Sequence, residues 1–165
     1  MGNHDATAAP VTARLNIVIS GVSSDAHTWN LVFLQLLLQE WGHQVTNLGP
    51  CVPEALLVDE CARATPHLVV VSSVNGHGFH DGLRLIGALR QRTDTTRLPV
   101  VIGGKLGVTG EQGAADRVAT LLAAGYDAVF GDDVVGVAGE DVDPFAETLR
   151  TFRSFVDSLP AAVTC

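Results

Sequence analysis

A doubly wound α/β domain is the fold this sequence predicts: a single five-stranded parallel sheet in the order 2-1-3-4-5, with helices on both faces. Three observations carry the prediction. Short, continuous apolar runs rich in β-branched residues recur along the chain, which is how strands covered on both faces read. Each run is followed by a stretch with helical spacing, and strand and helix alternate five times with short links, the pattern of a parallel sheet. The length, 165 residues with 47% apolar side chains, suits one domain of this kind with a full core. The order 2-1-3-4-5, flavodoxin-like and Rossmann-like, is the common solution at this size.

Residues 1–12 are polar and Ala-rich with Pro10 and read as a flexible leader; the domain is placed at 13–160 and a tail at 161–165. The first strand is expected from Ala13 to Ser20. The helix after it, Trp29 to Trp41, is apolar nearly all round and stops at Gly42. Such a helix is either buried or keeps one face for a partner subunit or a large ligand, and a mixture of the two is expected. A second strand spans His43 to Leu48, and a helix runs from Pro53, suited to a first turn, to Ala64. The third strand, His67 to Ser72, exits into Ser73-Val74-Asn75-Gly76-His77-Gly78, where two glycines allow close backbone approach. A helix from His80 to Arg92 is expected to bury Leu83, Ile86 and Leu89 and to turn Arg84, Arg90 and Arg92 outward. The fourth strand, Leu98 to Ile102, ends at Gly103-Gly104-Lys105; a helix from Gln112 to Ala124 and a fifth strand from Asp127 to Phe130 follow. An acid-rich loop through Asp132, Asp133, Glu140, Asp141 and Asp143 leads to a last helix, Pro144 to Leu159, with Phe145, Leu149, Phe152, Val156 and Leu159 on one stripe.

Composition narrows the partners. A net charge of -8 disfavours nucleic acid and anionic membrane surfaces, both of which select basic patches. No apolar run approaches a membrane span and no signal-peptide pattern opens the chain, so a cytoplasmic protein is expected. Cys51, Cys61 and Cys165 lack the spacing of a zinc site or a disulfide framework and read as ordinary thiols. His4 and His43 read as solvated, His67 as the start of a strand, and His77 and His80 as polar rim residues.

In this fold a ligand lies outside the carboxyl ends of the strands, near strands one and three. The glycine-rich and polar loops, 21–30, 72–78 and 103–107, all fall there. Within the first of them, Asp25 and His27 are spaced so that one imidazole nitrogen can donate to the carboxylate while the other faces out, as a metal-ligating histidine is held. The alternative is that Asp25 caps the following helix and His27 sits exposed in a turn. Familiar occupants of the fold fail on particular residues. The dinucleotide fingerprint has Asp81 where its last glycine belongs, and a P-loop ending at Gly104-Lys105 has Pro99 for its first glycine and Leu106 for its hydroxyl. A phospho-receiver needs an aspartate where Ser72-Ser73 stand. Ser23, Ser24 and Thr28 could face a flavin phosphate, but Asp25 between them repels a dianion.

Three segments in order, Asp25-Ala26-His27, Ser72-Ser73-Val74 and Gly103-Gly104, resemble the cobalamin-binding signature DxHxxG, SxL, GG. Their separations resemble those of the small (S, or sigma) subunit of glutamate mutase, also called methylaspartate mutase. The likeness continues through Asn75-Gly76-His77-Gly78, Asp81 and Gly125-Tyr126-Asp127-Ala128-Val129-Phe130, covering Leu15 to Phe130. Two positions depart from the signature: Asn30 replaces its first-motif glycine, and Val74 replaces leucine.

The resemblance implies that 13–160 is a cobalamin-binding domain for adenosylcobalamin. His27 would be the lower axial ligand of cobalt, with Asp25 behind it. Ser72 would hold the base of the displaced nucleotide tail, Val74 would line its slot, and Gly103 and Gly104 would let the tail pass. Ser24, Ala26, Thr28, Asn30, Asn75, Gly76, Gly78, Lys105 and Val108 complete the implied cofactor contacts. It further implies a larger barrel-type mutase subunit as partner and the rearrangement of glutamate, or a close analogue, to 3-methylaspartate, and it leaves room for a homodimer. No residue of this chain is then expected to be catalytic. Other readings of the same motifs are a corrinoid carrier or cobalamin sensor for methyl transfer or regulation, or a paralogue without cofactor. The first two are disfavoured by the short stretch ahead of the first strand, which leaves no helical bundle to cap the cofactor.

Overall fold

A computed structural model of the chain describes residues 14–108, 113–131 and 143–160. The leader, His4, Gln112, the acidic residues from Asp132 to Asp141, the tail and Cys165 lie outside the described residues. In chain order the elements are β1 (Asn16–Gly21), α1 (Trp29–Glu40), β2 (Gln44–Asn47), α2 (Glu54–Ala64), β3 (Leu68–Ser73), α3 (Gly78–Gln91), β4 (Val100–Gly104), α4 (Ala114–Ala124), β5 (Ala128–Gly131) and α5 (Pro144–Ser158). The five strands form one parallel sheet in the order β2-β1-β3-β4-β5, as the sequence predicts.

The two faces of the sheet are read directly from strand alternation. Val69 and Val71 of β3 join the cluster made with Leu57 of α2, Leu85, Ile86 and Leu89 of α3 and Leu121 of α4. Leu68 and Val70 point the other way, into a cluster with Leu31 and Leu38 of α1 and Phe152 and Val156 of α5. Two helices therefore cover one face and three the other. The register sets Gly21 beside Ser72 and Ser72 beside Gly103, with Phe130 next in line. This row is the upper rim of the sheet, and all the candidate loops leave from it.

Several details differ from the sequence expectation. β4 continues through Gly103 and Gly104, because both pair with neighbouring strands. α3 begins at Gly78, and Arg90 does not face out: its guanidinium reaches the carbonyls of Leu98 (2.8 Å) and Gly125 (2.6 Å), tying two loops together. His43 is buried rather than solvated; its Nδ1 accepts from the Leu15 backbone N–H at 3.3 Å while Nε2 has no hydrogen-bond partner among the described residues. α1 is the mixture expected: Leu31 and Leu38 are buried, whereas Trp29 is 64% and Leu36 62% exposed. It ends as glycine at position 42 predicts, with Gly42 at φ 93° and the His43 N–H returning to the Leu38 carbonyl.

Candidate functional site

The loop between β1 and α1 is folded around one carboxylate. Asp25 is 1% exposed, and both of its oxygens are taken. Oδ1 accepts from the His27 backbone N–H at 3.0 Å, a turn that aspartate forms with the residue two ahead, and from His27 Nδ1 at 2.7 Å. Oδ2 accepts from the Val74 backbone N–H at 2.6 Å and the Ser73 hydroxyl at 3.2 Å. Burial alone pushes the carboxyl upward, but these four donors outweigh it and hold its pKa below the ordinary value. An ionised Asp25 fixes the proton of a neutral His27 on Nδ1, leaving Nε2 with its lone pair. The ring is half exposed, 51%. Asp25 does not cap α1, whose N-cap is Thr28 without a side-chain bond.

A second set of contacts locks this loop to the one after β3. The Asn75 amide donates to the Ser24 carbonyl at 3.0 Å and its oxygen accepts from the His77 N–H at 2.9 Å. The Ser24 hydroxyl in turn donates to Asp81, which Arg84 also holds at 2.7 Å. His27 therefore stands on a scaffold braced from both β3 and α3 rather than on a free loop.

Beside it, between the sheet rim, α1 and α5, lies an apolar pocket of about 410 Å³. Val70, Val101, Phe130 and Phe152 contribute to its walls, together with Ser72, Val74, Gly103 and Gly104 from the rim. Asn30, 5% exposed, also lines it and donates from Nδ2 to the Ser72 hydroxyl oxygen at 2.7 Å. The Asn30 carboxamide oxygen is buried without a hydrogen-bond partner among the described residues. The glycine pair has its own structural cause. A Cβ at Gly104, where φ is 97°, would run into the Ser73 carbonyl oxygen, and one at Gly103 would meet the Phe130 carbonyl oxygen at 2.7 Å. The strands approach so closely here that side chains are excluded whatever occupies the pocket.

The structure thus gathers Ser24, Asp25, His27, Ser72, Val74 and Asn75 about one loop pair, with Asn30, Gly103 and Gly104 in the adjoining pocket wall. Ala26 and Thr28 are exposed on the same loop. Gly76 and Gly78 shape the turn into α3: Gly76 has φ 84°, and a Cβ on Gly78 would meet Ser73 Cβ at 2.8 Å. Lys105 and Val108 are exposed beyond the end of β4, outside the pocket wall. Sequence reasoning missed Ser73, which supports Asp25, and the aromatic walls Phe130 and Phe152. The helical stripe through Phe152 marked that residue as inward-facing but not as a pocket wall.

Residues 15–147 match the model of the B12 binding domain family. The glutamate mutase sigma subunit of Treponema denticola is 27% identical over 120 residues, 71% of this chain and 83% of that protein. That of Carboxydothermus hydrogenoformans is 29% identical over 120 residues, covering 71% and 84%. Among solved structures, a novel cobalamin-binding protein from Desulfitobacterium hafniense superposes with a TM-score of 0.59 at 21% identity over 85% of this chain, which spans 58% of that one. The match over 15–147, on a sheet of the expected order, means that the chain belongs to the B12 binding domain family.

Proposed function

We propose that this chain is the cobalamin-binding subunit of an adenosylcobalamin-dependent carbon-skeleton mutase, acting with a separate, larger barrel-type subunit on glutamate or a close amino-acid analogue. The observation that carries the reading is the buried, ionised Asp25 holding the His27 imidazole by Nδ1 and leaving Nε2 outward at the sheet rim. Among the described residues no group of three or more His, Cys, Asp or Glu could hold a metal ion. A lone imidazole of this kind would suit a metal that arrives already held by a macrocycle and needs one nitrogen from the protein.

The residues fit the group in other respects. The apolar pocket beside His27, floored by the glycine pair and carrying the Asn30–Ser72 polar pair, is a place for the nucleotide tail that His27 would displace. Ser24, Ala26, Thr28, Asn75, Gly76, Gly78, Lys105 and Val108 would border the corrin and tail. When bound, the cofactor would supply the radical chemistry, and the chain would bind and orient it, with His27 as the residue that would hold its cobalt. The sigma-subunit relatives carry a name that implies a second subunit, and the exposed apolar surface of α1 at Trp29, Val32 and Leu36 supports a docked partner here. No helix among the described residues is long and apolar enough to cross a membrane.

The test is paramagnetic resonance of the cob(II)alamin complex with nitrogen-15 histidine. Hyperfine coupling from a histidine nitrogen is expected in the wild-type chain and absent in His27→Ala; coupling that survives the substitution would sink the axial-ligand assignment. Adding a barrel-type partner and glutamate then asks for 3-methylaspartate, and methyl transfer without isomerisation would favour a corrinoid carrier.

A further inference from the structure

Resting on the corrinoid reading above, we propose that Asn30 and Ser72 select the tail base, and that the base preferred carries a hydrogen-bond donor beside an acceptor, as an aminopurine does, over a dimethylbenzimidazole. The starting point is an unpaired atom. The Asn30 carboxamide oxygen is buried and without a hydrogen-bond partner among the described residues, in a residue 5% exposed that lines the pocket. Such an acceptor is costly to leave unmatched, so its presence in a wall points to what the wall receives.

The hydrogen-bond inventory of the pair identifies the complement. With Asn30 Nδ2 donating to Ser72 Oγ at 2.7 Å, the amide oxygen remains as an acceptor and the serine O–H remains as a donor. Turned end for end, the amide would accept from the serine, and the pair would keep an N–H donor and a serine lone pair. Either way one donor and one acceptor stand side by side. Among the described residues of the wall no other hydroxyl competes for them, since Thr148 already donates to the Pro144 carbonyl at 3.0 Å. An exocyclic amine next to a ring nitrogen satisfies both partners, whereas a dimethylbenzimidazole tail offers one ring nitrogen and no donor. Asn30 also fills space that a glycine would leave open, which favours a bicyclic base without the two methyl groups. A polar pair built in this way discriminates strongly against ligands that leave it unmatched.

The experiment titrates the intact chain with three cobamides in the same aquo form, bearing adenine, unsubstituted purine or 5,6-dimethylbenzimidazole, and reads Kd by calorimetry. The adenine form is expected to bind about tenfold or more tighter than either of the others, and Asn30→Gly to bring the three within about threefold. Comparing adenine with purine in the wild-type chain removes only the amine from the ligand, so it decides the matter even if the variant does not fold. Equal binding of the three, a preference for dimethylbenzimidazole, or a preference untouched by Asn30→Gly in a folded variant overturns the inference and leaves the corrinoid reading standing. If none of the three binds, the corrinoid reading falls and the inference with it.

Discussion

Asp25 concentrates more of the site in one side chain than any other residue, since four donors from three residues converge on it. Replacing it by Asn puts an NH2 group where one of those donors already points. Asp25→Asn is therefore expected to lower stability by about 1–3 kcal/mol in urea unfolding and to weaken corrinoid affinity by about 10- to 100-fold. His43 gives a separate pH dependence. Burial lowers its pKa from the ordinary 6.5; Asp157 opposes that shift and Arg153 adds to it. A folded-state histidine with a lowered pKa takes up its proton less readily than the unfolded chain does, so its contribution is complete above 6.5 and is lost as pH falls from there toward the folded value. Thermal midpoints between pH 7 and 5 should fall more steeply for the wild-type chain than for His43→Asn. The two histidines differ in how legible they were. Asp25 and His27 are two residues apart and meet by local turn geometry, so their pairing could be read from the chain. His43 is 28 residues from its donor Leu15, and Asn30 is 42 from Ser72; contacts at that separation depend on strand register, which no local pattern states.

At the level of elements, strand and helix type followed from periodicity because buried parallel strands and amphipathic helices differ so plainly in their spacing. The ends of β4 and α3 did not, since glycines read as breakers wherever cross-strand pairing is not in view. Gly103 and Gly104 were legible as a special pair, but as a passage for a ligand; the structure adds that β3 and β5 carbonyls already exclude side chains there. Gly104→Ala is accordingly expected to destabilise the apo chain by about 2 kcal/mol or more, from left-handed strain and the clash with Ser73 together. Gly87 sits in α3 with open space where a Cβ would stand, no atom of the described residues outside its own helix backbone lying within 4 Å of it, and Gly87→Ala should instead stabilise by about 0.5–1 kcal/mol. Urea unfolding of both variants without ligand separates strand packing from any ligand effect.

Across the whole molecule, the sheet divides labour between its faces. The α2, α3 and α4 face is closed by aliphatic packing, and Cys61 within it has its thiol pushed up to about 12 by burial. A thiol reagent should therefore modify exposed Cys51 in the native protein and reach Cys61 only on unfolding, as mass spectrometry of the labelled peptides would show. The opposite face is held differently. α5 meets β5 and α1 through rings, Phe152 against Phe130 of β5 at 5.2 Å and against Trp41 at the end of α1 at 5.8 Å, with Phe145 leaning on Phe33 of α1 at 5.9 Å. The pocket lies beside these rings, between the sheet rim and α5, while Phe152 and Val156 of α5 share a buried cluster with Leu68, Val70 and Val101 of the sheet. A molecule seated there would extend that half of the core, adding apolar contacts to α5. Amide exchange along α5 would then slow as occupancy rises while α2 and α3 stay unchanged, and the last helix would act as a built-in gauge of whether the domain is loaded.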